Sequence, residues 1–374
     1  MNRYLLSELE AKGVIQLGRG KIISKLDMSA HPGSFPVYSS SATGNGVFGS
    51  YGDYMFDDAR ITWSIDGGGR FFYRPEHKYS VTNVCGWIKV LKPELLDTKY
   101  LYYCLFAQWV HLTFDYTYKA HPSVIRGKYI VELKPLAVQQ TIVSNLDSIT
   151  ALIEKGNAKK PLLDELVKAR FVEMFGDPVQ NEKGYEVIPL GELGKLKRGT
   201  SKHRPRNDAI LLGGPYPLIQ TGDVSNADTF ITKYTSTYSE AGLKQSKMWD
   251  KGTLCITIAA NIAETAILGF DACFPDSVVG FKPDDQVTTL FIHNWFKFLQ
   301  PILEENAPSV AQKNLNVDTL EKVEVIVPPM DDQLKYEEML KQIDKSKFEV
   351  QKKIDLYTEL LNKKMDEYFN SEAN

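Results

Sequence analysis

A short basic segment indicates a chemistry more clearly than any other part of this 374-residue sequence. Residues 195–206, KLKRGTSKHRPR, hold six lysines and arginines together with His203, and no acidic residue. Because Lys and Arg neutralise phosphates, this run predicts a contact track along a nucleic-acid backbone. The residues expected to touch phosphates are Lys197, Arg198, Lys202 and Arg204. The alternative interpretation is a solvated surface loop.

Short polar side chains that could hydrogen-bond base edges lie in loops of both halves of the chain. Asn and Gln suit adenine, Arg and Lys suit guanine, and carboxylates suit cytosine. The DNA-contacting residues predicted in the first half are Ser39, Ser40, Ser41, Thr43, Asn45, Arg70, Lys119 and His121. Those predicted in the second half are Gln220, Thr221, Asp223, Gln312, Lys313 and Asn314. Arg70 and Arg74 add positive charge after three consecutive glycines.

The sequence contains no constellation that would support catalysis. It lacks a G-x-x-x-x-G-K-[ST] phosphate loop and a G-x-S-x-G nucleophile elbow. Residues 44–49 match G-x-G-x-x-G, but no helical period follows, as a dinucleotide site would need. The four cysteines form no C-x-x-C pair. We therefore expect a protein that is not an enzyme and that binds neither cofactor nor metal.

Composition excludes several other classes of protein. Apolar residues make up 43% and charged residues 24%, a globular balance that excludes a wholly disordered chain. The net charge of −3 excludes a protein that coats nucleic acid by bulk charge alone. No run of about 18 apolar residues could span a membrane, and the N-terminus does not resemble a signal peptide. The cytoplasm is the expected compartment.

The sequence repeats itself once, at a nearly constant offset of 194 residues. Pro135 and Gln139 match Pro329 and Gln333, and Gly86 matches Gly280, among many other pairs. The repeat predicts a tandem duplication of one globular unit followed by one helix. The expected boundaries are a first recognition domain at 1–135, a central helix at 136–180, a second recognition domain at 181–328 and a C-terminal helix at 329–374.

Each globular half is predicted to be a mixed α/β domain. Residues 36–38, 61–65 and 84–90 are rich in β-branched and aromatic residues and bounded by glycine and proline, which is typical of strands. A helix is expected over 99–110, with a counterpart over 294–303.

The two predicted long helices carry apolar residues at heptad spacing, which favours their packing on each other as an antiparallel coiled coil. Packing of each helix on its own globular half is the alternative. Pro161 predicts a kink or short break over 156–161. A second stripe, made of residues 162, 166, 171 and 175 on one helix and 356, 360, 365 and 369 on the other, should also be buried. The residues expected in the coiled coil or against partners are Leu146, Ile149, Ile153, Leu163, Leu166, Phe171, Phe175, Leu340, Ile343, Ile354, Leu360 and Phe369. The expected molecule is a pseudo-two-fold dumbbell.

Three segments resemble the specificity subunits of type I restriction–modification systems. Residues 162–178, LLDELVKARFVEMFGDP, look like the end of that family's central spacer helix. Residues 36–44, 61–67 and 81–84 are similar to its recognition-domain pattern. Pro328, Pro329 and Gln333 resemble the start of its second helix.

The resemblance implies a non-catalytic subunit that reads a bipartite DNA target, with one recognition domain for each half-site. It further implies that the chain binds double-stranded DNA, two methyltransferase subunits and motor–nuclease subunits, in DNA methylation and phage defence. Two other functions stay open. One is recognition for a fused restriction–methylation enzyme that cuts beside its site, and the other is a scaffold that bridges protein partners without binding DNA.

Overall fold

The structure, a computed structural model, describes residues 2–40, 44–112, 119–203, 205–259, 262–306 and 316–370. The chain forms two compact units. The first comprises Met1–Ala158 with Val350–Asn374, and the second comprises Lys159–Glu349. Each unit contains a globular part, called the first head (residues 2–135) or the second head (residues 176–329), and a segment from each of two long helices.

The first head is built from short strands in three sheets. Its strands are β1 (Arg3–Leu5), β2 (Ile15–Arg19), β3 (Phe35–Tyr38), β4 (Val47–Tyr51), β5 (Arg60–Ser64), β6 (Phe71–Arg74), β7 (Ser80–Val81), β8 (Cys85–Val90) and β9 (Ile130–Glu132). The sheet orders are β2-β8-β5-β6, β4-β3-β7 and β1-β9. The helices are α1 (Leu6–Ala11), α2 (Lys25–Ala30), α3 (Thr98–His111) and α4 (Pro122–Lys128).

The second head repeats this plan. Its strands are β10 (Glu186–Pro189), β11 (Gly194–Arg198), β12 (Leu212–Leu218), β13 (Phe230–Ile231), β14 (Ser236–Tyr238), β15 (Met248–Trp249), β16 (Leu254–Thr257), β17 (Thr265–Leu268), β18 (Ala272–Cys273), β19 (Val278–Pro283) and β20 (Glu324–Val327). The sheet orders are β11-β19-β16-β17-β13, β14-β12-β18-β15 and β10-β20. The helices are α6 (Thr221–Ser225), α7 (Glu240–Lys244), α8 (Thr289–Asn306) and α9 (Val317–Glu321).

The two heads share one topology, which confirms the duplication. Strands β2, β8, β5 and β6 correspond in order to β11, β19, β16 and β17. In both heads a central strand of the second sheet pairs antiparallel on one side and parallel on the other. The second head adds β13 and β15 at sheet edges. The predicted strands at 36–38, 61–65 and 84–90 are confirmed as β3, β5 and β8.

One matched pair of glycines accommodates aromatic rings that cover the sheets. A Cβ on Gly86 would lie 2.1 Å from the ring of Trp63, which is fully buried. A Cβ on Gly280 would lie 2.6 Å from the ring of Trp249. Both strands therefore need glycine where a large ring packs directly on the backbone.

The helices predicted inside the heads are confirmed, with one difference in length. Helix α3 covers the predicted 99–110. Helix α8 is longer than the predicted 294–303 and includes Pro301 within it.

The long helices are α5 (Leu136–Phe175) and α10 (Met330–Met365), and a π-helical turn (Asp366–Asn370) follows α10. A break at 156–161, one form of the predicted kink or break, is wrong, because α5 is helical throughout and contains Pro161. Position 157, whose carbonyl would accept a hydrogen bond from residue 161, is exposed, so water can replace the bond that proline cannot make. Gly156 has a packing role instead: a Cβ there would lie 2.7 Å from Ile354 Cγ1.

Within each unit the two helix segments run antiparallel, as predicted. In the first unit, Asn145 Nδ2 donates to Tyr368 Oη at 3.1 Å, and Gly156 contacts Ile354. In the second unit, Lys347 pairs with Asp164 at 2.6 Å and Tyr336 Oη donates to the carbonyl of Val167. The helices also pack on the heads, since residues of α5 belong to the main core of each unit. The two packing alternatives therefore occur together.

The start of each long helix is hydrogen-bonded to its head through the side chain of a buried glutamine. Gln139 Nε2 donates to the carbonyls of Leu95 and Lys134, and its Oε1 accepts from the backbone N–H of Asp97, at 2.7–2.9 Å. Gln333 makes the equivalent three bonds, to the carbonyls of Gln286 and Pro328 and from the N–H of Thr288. Both side chains are completely buried and fully hydrogen-bonded.

The expectation that the second apolar stripe is buried is wrong for its first two positions on each helix. Leu162 and Leu356 are each 60% exposed, and Leu166 and Leu360 are about 40% exposed. Further along the same stripe, Phe171, Phe175 and Met365 are buried in the cores. Heptad spacing predicts one apolar face, but the heads cover that face only where they contact the helices.

Candidate nucleic-acid interface

The basic segment begins as strand β11 at the edge of the five-stranded sheet of the second head. Leu196 points into the core, whereas Lys195 and Lys197 are exposed on the opposite face. The alternation of a strand therefore places both ammonium groups on one side.

Part of the positive charge of this segment is neutralised within the head. Arg206 forms an ion pair with the carboxylate of Asp276, and Arg198 Nε donates to the backbone carbonyl of the same residue. His203 Nε2 lies 3.0 Å from Asp208 Oδ2. The pKa of the Asp208 carboxyl is lowered, first by a hydrogen bond from the backbone N–H of Ile210 and then by the hydrogen bond with His203.

Three lysines of the segment have no such partner. Among the residues that the structure describes, no carboxylate lies within ion-pair distance of Lys195, Lys197 or Lys202. Lys202 is exposed, and its backbone N–H donates to Gln245 Oε1 at 2.6 Å, which fixes the loop after β11. Arg204 lies outside the described residues. The lysines are thus the members of the segment best able to contact phosphate.

The predicted base-reading residues of the second head form one local structure. Gln220 precedes α6, and its N–H donates to Asp223 Oδ2 at 2.8 Å, as in a capping box. Thr221 is the first residue of this helix. The side chain of Gln220 is exposed and also donates to Ser236 Oγ at 3.3 Å. Gln312, Lys313 and Asn314 lie outside the described residues.

In the first head, the two predicted serines that the structure describes use their hydroxyls internally. Ser39 Oγ accepts from Thr82 Oγ1 at 2.8 Å, and Ser40 Oγ lies 2.6 Å from Ser64 Oγ. Ser40 Oγ also accepts from the N–H of Asp66 at 2.9 Å. Ser41 and Thr43 lie outside the described residues.

Lys119 and His121 lie at the loop that leads into α4. Lys119 pairs with Asp66 at 3.1 Å and is more than half exposed. His121 caps α4 through its backbone, without a side-chain bond. Both side chains stay predicted DNA contacts.

Asn45 and Arg70 line one cavity of about 840 Å³ in the first unit. Arg74 lines it as well, together with the aromatic side chains of Phe72 and Tyr102. The sequence indicated Arg74 only as added charge. The period of a strand shows that it shares a face with Phe72, but not that this face borders a cavity.

The predicted coiled-coil residues fall into three groups by burial. Leu146, Phe171, Phe175, Leu340, Ile343 and Ile354 are buried. Ile149, Ile153, Leu163 and Phe369 are half-buried, and Leu166 and Leu360 are exposed.

Lys347, which interrupts the heptad pattern, joins three elements of the second unit. Its Nζ lies 2.6 Å from Asp164 of α5 and 3.1 Å from Asp228, which precedes β13. Burial opposes the charge of Lys347, but the two carboxylates outweigh it and raise the pKa. The heptad periodicity predicts an apolar residue at position 347 and does not predict these ion pairs.

Over the described ranges, His, Cys, Asp and Glu side chains form no group of three suited to hold a metal ion. In the same part of the chain, no helix is both long and apolar enough to cross a membrane.

The fold and these surfaces define a duplicated α/β protein whose two heads each end in a long helix. The family model for the type I restriction modification DNA specificity domain matches it twice, over residues 7–162 and 182–357. The chain therefore belongs to the type I specificity family.

Individual relatives agree with this assignment. A putative type I specificity subunit of Mycoplasma pneumoniae is 28% identical over 297 residues, which cover 75% of each protein. Another from the same organism is 29% identical over 183 residues, covering 46% of this chain and 58% of the relative, so this match spans little more than half of that protein. The crystal structure of an S subunit of a type I restriction–modification system from M. genitalium has a similar fold, with a TM-score of 0.58, 15% identity and coverage of 99% and 96% of the two chains.

Proposed function

We propose that this chain is the DNA-recognition subunit of a type I restriction–modification complex, with one head reading each half of a bipartite target. The observation that carries this proposal is the specificity-domain match in each half of the duplicated chain. The exposed lysines of β11 and the arginine-lined cavity of the first head support it, because both offer positive charge to a DNA backbone.

The subunit acts without catalysis of its own and docks two methyltransferase subunits. The four exposed leucines at 162, 166, 356 and 360 support docking, since they form equivalent apolar pairs at an offset of 194 residues. Exposed apolar patches on helices mark protein interaction sites. Motor–nuclease subunits would join the same complex.

Exchange of a head tests the proposal. Residues 1–135 would be replaced by the corresponding segment of another specificity subunit, and methylated adenines would be mapped in cells that express the chimaera with its methyltransferase. We expect one half of the target to change while the other half stays the same. A change in both halves would contradict independent reading, and absence of any chain-dependent methylation would contradict the proposed function itself.

The docking sites are tested by the stoichiometry of the purified complex. Leu162→Glu with Leu166→Glu should remove one methyltransferase subunit, and Leu356→Glu with Leu360→Glu should remove the other. Ala158→Glu is a matched control, since residue 158 is also exposed on α5 but belongs to neither apolar pair. Retention of two methyltransferase subunits by both leucine variants would place the docking sites elsewhere.

A further inference from the structure

The cavity of the first unit is lined by Arg74, an arginine whose charge no described carboxylate neutralises. Arg74 ends strand β6 and is only 5% exposed. Its Nε donates to Thr62 Oγ1 at 2.9 Å, and its Cζ lies 3.6 Å from the ring centre of Tyr38. Its Nη2 is buried and has no hydrogen-bond acceptor among the residues that the structure describes. No carboxylate of the described residues lies within ion-pair distance of this guanidinium.

The cross-strand neighbour of Arg74 shows how the same sheet satisfies a buried arginine. Arg60 on β5 faces Arg74 and is 8% exposed. Its Nε lies 2.6 Å from Asp58, and its guanidinium stacks on Phe56. Buried charges in proteins are normally paired and hydrogen-bonded, because an unpaired one loses its hydration without compensation. Arg74 therefore differs from Arg60 in that no described residue neutralises its charge.

The walls of the cavity favour an anion. Arg70, Arg74 and Lys99 contribute three cations, against the carboxylates of Asp147 and Glu154. Lys99 and Asp147 pair with each other at 2.8 Å, and Tyr103 Oη donates to Asp147 at 2.7 Å, so the other lining charges are Arg70 and Arg74 against the carboxylate of Glu154.

The position of Arg74 selects which part of DNA it can meet. A guanidinium that is 95% buried cannot project into a groove to reach a base edge, whereas a phosphate projects outward from the backbone of DNA. Its Nε already donates to Thr62, so a phosphate oxygen would accept from the terminal Nη groups. The half-buried rings of Phe72 and Tyr102 offer apolar surface to the adjoining sugar.

We propose that this cavity receives one backbone phosphate of the half-site read by the first head, with Arg74 as its hydrogen-bonding partner. The inference rests on the proposed function and adds a fixed anchor point to it. Such a contact sets the register of the head on the duplex and carries no base information itself.

The test combines Arg74→Gln with removal of single phosphate charges from the target. The full chain, in complex with its methyltransferase subunits, would be titrated with duplexes that each carry one methylphosphonate along the half-site. For the unaltered complex we expect one position at which neutralisation weakens binding about tenfold. Arg74→Gln should weaken binding to the unmodified duplex by a similar factor and abolish sensitivity at that position alone. Arg74→Lys should keep part of the sensitivity.

Arg60→Gln is the matched control. Its partner Asp58 also contacts Lys89 at 2.7 Å, so that carboxylate keeps one cation. This variant should lower the melting temperature and leave the methylphosphonate profile unchanged.

Two outcomes would overturn the inference. One is a folded Arg74→Gln or Arg74→Lys complex whose profile equals that of the unaltered complex. The other is loss of a methyltransferase subunit from these variants with an unchanged profile, because the cavity would then receive an acidic group of a protein. Failure of the unaltered complex to bind any target would instead contradict the proposed function.

Discussion

His293 lies fully buried on α8, where its Nδ1 is 2.9 Å from Thr265 Oγ1. Burial, followed by the charge of Lys297, lowers the pKa of this imidazole to about 3. The folded protein therefore keeps His293 neutral at pH values where the unfolded chain protonates it.

This difference predicts an acid-sensitive contribution to stability. Below a pH of about 6.5 the unfolded state binds a proton that the native state does not, so stability falls as pH falls, by about 1.4 kcal/mol per unit until the native pKa is reached. His293→Asn removes the titrating group. Urea unfolding between pH 7 and pH 4 should show the wild type losing stability more steeply than the variant. Parallel curves would mean that His293 does not contribute to the acid sensitivity.

The exposed lysines of the basic segment should increase the affinity for DNA without changing which DNA sequence is preferred. Lys197→Ala with Lys202→Ala is expected to weaken binding to all duplexes and to reduce the salt slope by about one for each phosphate that is no longer neutralised. Lys335→Ala is a suitable control, because this exposed lysine pairs with Asp332 on α10. An unchanged slope would support the solvated-loop interpretation.

At the scale of single residues, the sequence could predict where positive charge lies, but not whether that charge is available to bind a ligand. The run at 195–206 is visible in the sequence, yet Asp276, about 70 residues away, engages two of its arginines. Arg60 and Arg74 look alike in the sequence, and only the fold shows that Asp58 neutralises one of them. The fold decides which of the nearby or distant carboxylates neutralises a given cation, and so which cations can bind a ligand.

At the scale of elements, α5 and α10 were predictable because apolar spacing persists over many turns. The continuity of α5 was not predictable, because its proline and glycine were interpreted only by their low local preference for helix. Gly156 is retained for tertiary packing against Ile354, which propensity does not describe.

Substitution of Gly156 tests this interpretation. Leucine is the better helix former, so Gly→Leu at an open helical position should be neutral or stabilising. Gly127 on α4 is such a position, with no atom within 4 Å of an added Cβ. Gly156→Leu should instead destabilise the protein by about 1–3 kcal/mol, because its Cβ overlaps Ile354. Equal effects of both variants in thermal unfolding would show that α5 and α10 are not tightly packed there.

At the scale of the whole molecule, the duplication predicts that the long helices set the spacing of the recognised half-sites. Four residues inserted into α5 after Ala158, with four inserted opposite in α10 before Val350, would add about one helical turn, or roughly 6 Å. We expect methylation mapping to show the same half-sites separated by one or two more base pairs, since each rises about 3.4 Å.

Two-residue insertions at the same places provide the control. They would rotate the apolar stripe by about half a turn and should prevent assembly. A viable four-residue variant that still methylates the original spacing would show that partner subunits position the heads.

The hydrogen bonds of these two buried glutamines also affect how such proteins can evolve. Among the described residues, the side chains of Gln139 and Gln333 hydrogen-bond only to backbone groups of their heads, so this part of the attachment does not depend on which side chains a head carries. A head that follows the same backbone path can diverge freely in its loops, or be replaced by genetic recombination near the preceding proline, and still be held at the same place. New recognition sequences can therefore arise by exchange of coding segments, without simultaneous compensation in the helices.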